Sequence, residues 1–183
     1  RKVMSPEQMQ AVHDIGEPGL LFGPREMRLY PNGHVASHIL GGSRFGAEGV
    51  SSAEVVGVAG VEKAFDAWLR DPSNNGAPLR LSLDLTVQRA MEEVLGAGMR
   101  TMRAKGATGI LMEVDTGEVV AMASLPDFDP NDRPSPLLEG DPSDSPLFNR
   151  AVQGLYELGS TFKNFPVAQA LALGLVNRTT MVS

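Results

Sequence analysis

Ser160 and Lys163 stand three residues apart in the run Tyr156-Glu157-Leu158-Gly159-Ser160-Thr161-Phe162-Lys163. A serine hydroxyl is a poor nucleophile until a neighbouring base takes its proton, and a lysine can be that base only when burial or other cations pull its pKa far down. If a helix begins at Ser160, three residues make about one turn, which puts both side chains on one face within mutual reach. The positive end of such a helix favours an alkoxide and a neutral amine. Gly159 lets the backbone turn sharply ahead of the hydroxyl. The bare pattern is nonetheless a weak signal, because thirteen Ser and four Lys in 183 residues supply roughly 0.3 such matches by chance. On spacing alone, Ser160 as a helix cap with Lys163 as a solvated first-turn residue is the simpler account.

Other chemistry is thinly represented. His34 and His38 have the i,i+4 spacing of a metal pair, but Pro31 and Gly33 argue against a settled helix and no third ligand is near in sequence, so no metal is expected. Gly154 to Gly159 followed by Ser160 imitates part of a phosphate loop. The lysine that should follow the second glycine is missing, and Glu157 would repel phosphate. No cofactor is expected. The absence of Cys removes disulfide scaffolds, thiolate metal sites and cysteine nucleophiles. A net charge of -6 without a Lys/Arg run argues against a nucleic-acid partner. The longest apolar stretch, Phe165 to Val176, is interrupted by Gln169 and falls well short of the roughly 20 residues of a membrane span. The chain opens at Arg1 and stops at Ser183 just past an expected helix, so both ends read as cut and a piece of something longer is expected.

Three zones must position the serine. The first, to about Ala77, is rich in Gly and broken by Pro6, Pro18, Pro24, Pro31 and Pro72. It closes on a helix expected to bury Val61, Phe65, Trp68 and Leu69 as one stripe. Asp71 to Pro78 reads as a linker, which places a domain boundary there. In the second zone a helix is expected from the cap Asp84, with Val87, Ala90, Met91, Val94, Leu95, Met99 and Met102 inward, Glu92, Glu93, Arg100 and Arg103 outward, and Gly106 as the stop. Strands follow at Thr108 to Val114 and Glu118 to Ser124, joined by Asp115-Thr116-Gly117. The third zone, Leu125 to about Asn149, carries six prolines and no regular element. It leads to the serine motif and to an apolar helix ending near Leu173 and Gly174. Pro166, six residues after Ser160, predicts a bend or a non-ideal first turn. The fold class is α+β with a mainly antiparallel sheet.

The serine run resembles the active-serine motif of the class B penicillin-binding proteins, and the likeness continues along the chain. Leu83-Asp84-Leu85-Thr86-Val87-Gln88-Arg89 is similar to that family's first transpeptidase helix, and Met112 to Ser124 to its first hairpin. Pro126-Asp127-Phe128-Asp129-Pro130-Asn131 and Asn149-Arg150-Ala151 match the following loop and the approach to the active helix. Arg28 to Gly33, His38 to Gly41 and Gly60 to Asp66 resemble the end of the non-catalytic pedestal domain. These matches run in order from about residue 25 to 175, and their flavour is that of septal, alphaproteobacterial members. Leu158 departs from the proline often found before the motif glycine.

The resemblance implies that residues 1–77 are the C-terminal part of a pedestal or dimerisation domain and 78–183 the beginning of a transpeptidase domain. It implies that Ser160 attacks the penultimate D-Ala carbonyl of a peptidoglycan stem peptide, expels the terminal D-Ala and passes the acyl group to a neighbouring strand's amine. Lys163 would accept the proton, the Ser160 N–H would serve the oxyanion hole, and β-lactams would acylate the same hydroxyl. A periplasmic site at the inner membrane, with the anchor outside this chain, and divisome membrane proteins as partners of the pedestal are implied as well. The family's S-x-N and K-[S/T]-G lie downstream of the serine helix; neither follows Ser160 here, and Ser73-Asn74-Asn75 precedes it. The 183 residues alone are therefore expected to be inactive. Two alternatives are another S-x-x-K acyl enzyme, such as a β-lactamase or β-lactam sensor, and a non-catalytic divisome interaction module.

Overall fold

A computed structural model describes residues 4–20, 27–46 and 55–181; Pro24 lies outside them. They divide into two units, one up to Val152 and one from Gln153 onward.

In the first unit, helix α1 (Pro6–His13) is started by a reciprocal capping box between Ser5 and Gln8. A short helix α2 (Ser37–Leu40) follows Ala36, whose φ of 58° turns the backbone into the left-handed region. Strands β1 (Gly42–Phe45) and β2 (Val55–Ala59) then pair antiparallel. The single helix expected over Val61 to Leu69 is instead two pieces, α3 (Gly60–Ala64) and α4 (Asp66–Leu69), divided at Phe65 with φ −111° and ψ 17°. The cause is a tie that the periodicity does not show. The Gly57 N–H of β2 donates to Asp66 Oδ1 at 2.8 Å, pulling the second piece back onto the strand. Gly57 also lacks the Cβ that would collide with the Glu62 carbonyl, so α3 sits hard against β2. Phe65 consequently leaves the stripe and is exposed, while Trp68 and Leu69 are half-buried.

Helix α5 (Leu85–Met102) begins as its sequence predicts: Asp84 Oδ1 accepts from the N–H groups of Thr86 and Val87 at 2.8 and 3.0 Å. It lies against the hairpin of β3 (Ala107–Met112) and β4 (Val119–Leu125), paired antiparallel through a turn in which Gly117 takes φ 76°. Small side chains on β4 let the helix approach, and Ala121, Ala123 and Leu125 join Val35, Ala36 and Phe128 in the buried apolar core.

The inward face of α5 differs from the amphipathic expectation. Val87, Met91, Leu95 and Met99 are half-buried, but Val94 and Met102 are 71% and 80% exposed, and the most buried side chains are Gln88 and Glu92. Glu92, expected to face outward, is turned in because polar partners from distant segments meet it. Gln88 donates to Glu92 Oε1 at 2.7 Å and to the Met122 carbonyl at 2.9 Å, and accepts from the Met122 N–H at 2.8 Å. The Asp84 N–H similarly donates to the Val120 carbonyl at 2.9 Å. The helix stops at Arg103, which holds the left-handed cap conformation at φ 51°, three residues before the expected Gly106. Gly106 has another use, since a Cβ there would overlap the Arg150 guanidinium.

The proline-rich segment after β4 has no strand or α-helix up to α6 (Arg150–Gln153), only 3-10 turns at Pro130–Asp132 and Pro142–Asp144 capped by Asp129 and Asp141. It is fastened nonetheless. The Arg150 N–H donates to Ser124 Oγ at 2.9 Å, and the Arg150 guanidinium reaches the carbonyls of Ser143 and Phe148. Asn131 exchanges hydrogen bonds with the backbone of Tyr30 at 2.9 and 2.8 Å. Together with the Ala36 N–H bonded to Glu92 Oε1 at 2.9 Å, these ties join segments before and after the linker at 71–78 into one packed unit.

In the second unit, a 3-10 turn (Gly159–Lys163) runs into helix α7 (Asn164–Ala172), with Gly174 at φ 68° just past its end. No helix among the described residues is long and apolar enough to cross a membrane.

Candidate active site

Gly159 adopts φ 55°, a conformation costly for any residue with a Cβ, and so turns the chain immediately ahead of Ser160. The helix expected to begin at Ser160 is a 3-10 turn in its first stretch; the α-helix starts only at Asn164. Pro166 explains the delay. Placed third in α7, it falls within the first turn, where its missing N–H breaks no intrahelical bond. The change helps the pair, because residues i and i+3 eclipse in a helix of three residues per turn. Ser160 and Lys163 therefore project from one side of the same turn.

What the described residues supply is placement without enclosure. Ser160 and Lys163 are both exposed. Helix α7 buries none of its residues: Phe165 is 63% exposed and Val167 55%. The Phe162 and Phe165 rings lie 5.4 Å apart.

The competing motifs resolve differently. Ser73 and Asn74 belong to a 3-10 turn capped by Asp71, and the Asn74 side-chain amide donates to the Trp68 carbonyl at 2.7 Å, a structural task. His34 and His38 do not act as a pair. His38 faces the Pro126 carbonyl at 3.4 Å and meets the Phe128 ring edge-on, whereas His34 Nδ1 lies 2.8 Å from Asp127 Oδ2. The approach of Glu92 and Asp127 to His34 was missed in the sequence, where the three are separated by dozens of residues.

The penicillin-binding protein dimerisation domain matches residues 1–75, and the penicillin binding protein transpeptidase domain matches residues 107–183, which contain Ser160 and Lys163. The chain belongs to the penicillin-binding proteins. Its two parts are the dimerisation, or pedestal, region and the start of the transpeptidase domain, built from helices and antiparallel sheets. Over 94% of its length it is 37% identical to a probable peptidoglycan D,D-transpeptidase FtsI of Caulobacter vibrioides. It is 27% identical to the peptidoglycan D,D-transpeptidase FtsI of Escherichia coli over 98% of its length, and 28% identical to a probable peptidoglycan D,D-transpeptidase PenA of Neisseria gonorrhoeae over 95%. The chain spans 27% of the length of the first of these relatives and 32% of the other two.

Proposed function

We propose that this chain is part of a septal peptidoglycan D,D-transpeptidase in which Ser160 is the nucleophile and Lys163 its base. The observation that supports the reading is a glycine-started 3-10 turn that holds both Ser160 and Lys163, inside the region matched by the transpeptidase family. The Ser160 hydroxyl, giving its proton to Lys163, adds to the penultimate D-Ala carbonyl of a stem peptide. Collapse of the tetrahedral adduct breaks the bond to the terminal D-Ala, whose amine takes the proton. An amine of a second stem peptide then displaces Ser160 and completes the cross-link. The Ser160 N–H stabilises the oxyanion in both halves. A β-lactam enters by the same addition, with its ring C–N bond opening in place of the peptide bond. The pedestal match argues for a wall synthase over a β-lactamase. The same reading puts the enzyme on the periplasmic face of the inner membrane among divisome proteins, with the domain boundary between residues 77 and 78.

Labelling the full-length gene product with a fluorescent penicillin tests this. One equivalent is expected on Ser160, none after Ser160→Ala, and acylation slower by about 100-fold or more after Lys163→Ala. Undiminished labelling of the Ser160→Ala protein would overturn the assignment. The 183 residues alone are expected to stay unlabelled, since nothing described covers the pair.

A further inference from the structure

The acyl-transfer reading leaves unused a cluster in the first unit. His34 Nδ1 lies 2.8 Å from Asp127 Oδ2 and 3.9 Å from Glu92 Oε2, and the three ligand atoms all fall within 4.8 Å of one another. A tetrahedral zinc ion bound at about 2.0–2.1 Å needs its ligand atoms about 3.3 Å apart. The observed separations bracket that value, so small side-chain adjustments suffice.

Glu92 carries a second and independent sign. Its side chain is only 7% exposed. The Ala36 N–H and the Gln88 amide, at 2.9 and 2.7 Å, both donate to Oε1 and hold the carboxylate in place. Oε2, aimed toward His34, is sealed from solvent and accepts no hydrogen bond among the described residues. A buried carboxylate oxygen with no donor is costly unless a cation meets it. His34 does not serve through a hydrogen bond: its Nδ1 stands 3.9 Å from Oε2, within reach only as an ion pair of a protonated ring, and its close partner at 2.8 Å is Asp127 Oδ2. The arrangement matches the usual build of a metal ligand, one oxygen outward and the other locked by surrounding donors. His34 keeps 59% of its side chain exposed, which leaves a path for an ion. Arg89, Glu93 and Arg100 line the same cleft; Arg89 is engaged with Glu93 at 3.6 Å.

We propose that His34, Glu92 and Asp127 form a zinc-class divalent-cation site. One imidazole nitrogen and two carboxylates suit Zn²⁺, with water in the fourth position. The ion clamps the turn before α2, helix α5 and the loop after β4 to one another.

Isothermal titration of the metal-stripped 183-residue chain with ZnCl₂ tests the site. One Zn²⁺ per chain is expected, with a melting temperature raised by the metal. His34→Ala, an exposed change that leaves packing intact, and Asp127→Asn should each weaken binding by at least about 100-fold and abolish the thermal shift. His38→Ala should leave the zinc affinity unchanged. Absence of stoichiometric binding at tenfold excess of Zn²⁺, or binding that survives His34→Ala, overturns the proposal. Because no readout involves Ser160, failure here is distinguishable from failure of the acyl-transfer reading.

Discussion

Replacing Gln88 by Met tests whether a buried amide, rather than apolar contact, fastens α5 to its hairpin. The two side chains have nearly the same length, so the change removes hydrogen bonds with little change in volume. Three bonds vanish: those to both backbone groups of Met122 and the donation to Glu92 Oε1, which keeps only the Ala36 N–H. The Met122 groups, partly buried, cost about 1 kcal/mol each when orphaned, and the bond to the charged carboxylate is worth about 1.5–3 kcal/mol. Burying the methionine side chain in place of the amide returns about 1–2 kcal/mol. The net loss is about 1.5–4 kcal/mol, a large fraction of the roughly 5–15 kcal/mol that holds a domain folded. In urea unfolding followed by circular dichroism, with a slope of about 2 kcal/mol per M, the midpoint should fall by about 1–2 M at unchanged slope. Arg89→Met, its exposed neighbour, should leave the midpoint nearly in place. A Gln88→Met midpoint within about 0.3 M of the parent would show that apolar packing does the fastening and would refute the reasoning.

Three further outcomes are expected. Arg103→Gly should stabilise the chain by about 0.5–1 kcal/mol in the same urea assay, since glycine takes the φ of 51° at the end of α5 without a Cβ clash. Gly57→Ala should destabilise by about 1–3 kcal/mol, because the new methyl group collides with the Glu62 carbonyl and forces α3 off β2; a neutral result would mean that the contact is slack. Burial holds His38 below its free value of 6.5, outweighing the Pro126 carbonyl and Asp127, which pull upward, while Arg150 adds to the depression. The unfolded chain therefore binds that proton more readily. Stability should fall as pH drops below 6.5 until the folded value is passed, and should be level in this respect above it; His38→Gln should flatten that slope in pH-dependent urea midpoints.

The elements governed by local chemistry were legible in the sequence. Asp84 as a cap, the Asp115-Thr116-Gly117 turn and the two strands around it each depend on neighbours within a few residues. So does the proline-broken segment after β4. What escaped depended on partners far along the chain. Glu92 reads as a surface residue because periodicity registers polarity, not the Ala36 N–H, which comes from 56 residues away. The break at Phe65 follows from Asp66 bonding to β2, which no helical pattern encodes. Arg103 in a glycine conformation was invisible for the converse reason, since Gly106, three residues later in the chain, offered the residue type that usually stops a helix. At the candidate site, residue types and spacing gave the pair, and Pro166 warned of an irregular start. The choice of a 3-10 turn over an α-helix turned on where that proline could sit without breaking a bond.

The hydrogen bonds from Asp84 and Gln88 to Val120 and Met122 occupy the outer margin of β4, the side away from β3. The Val120 carbonyl and both backbone groups of Met122 are thereby taken, which obstructs an incoming strand along the middle of that margin. Among the described residues β3 pairs only with β4, and Ile110, Leu111 and Met112 are about half exposed. The hairpin is therefore a template with a direction: α5 obstructs the β4 side, and the free margin of β3 is the one on which a larger sheet can be laid down.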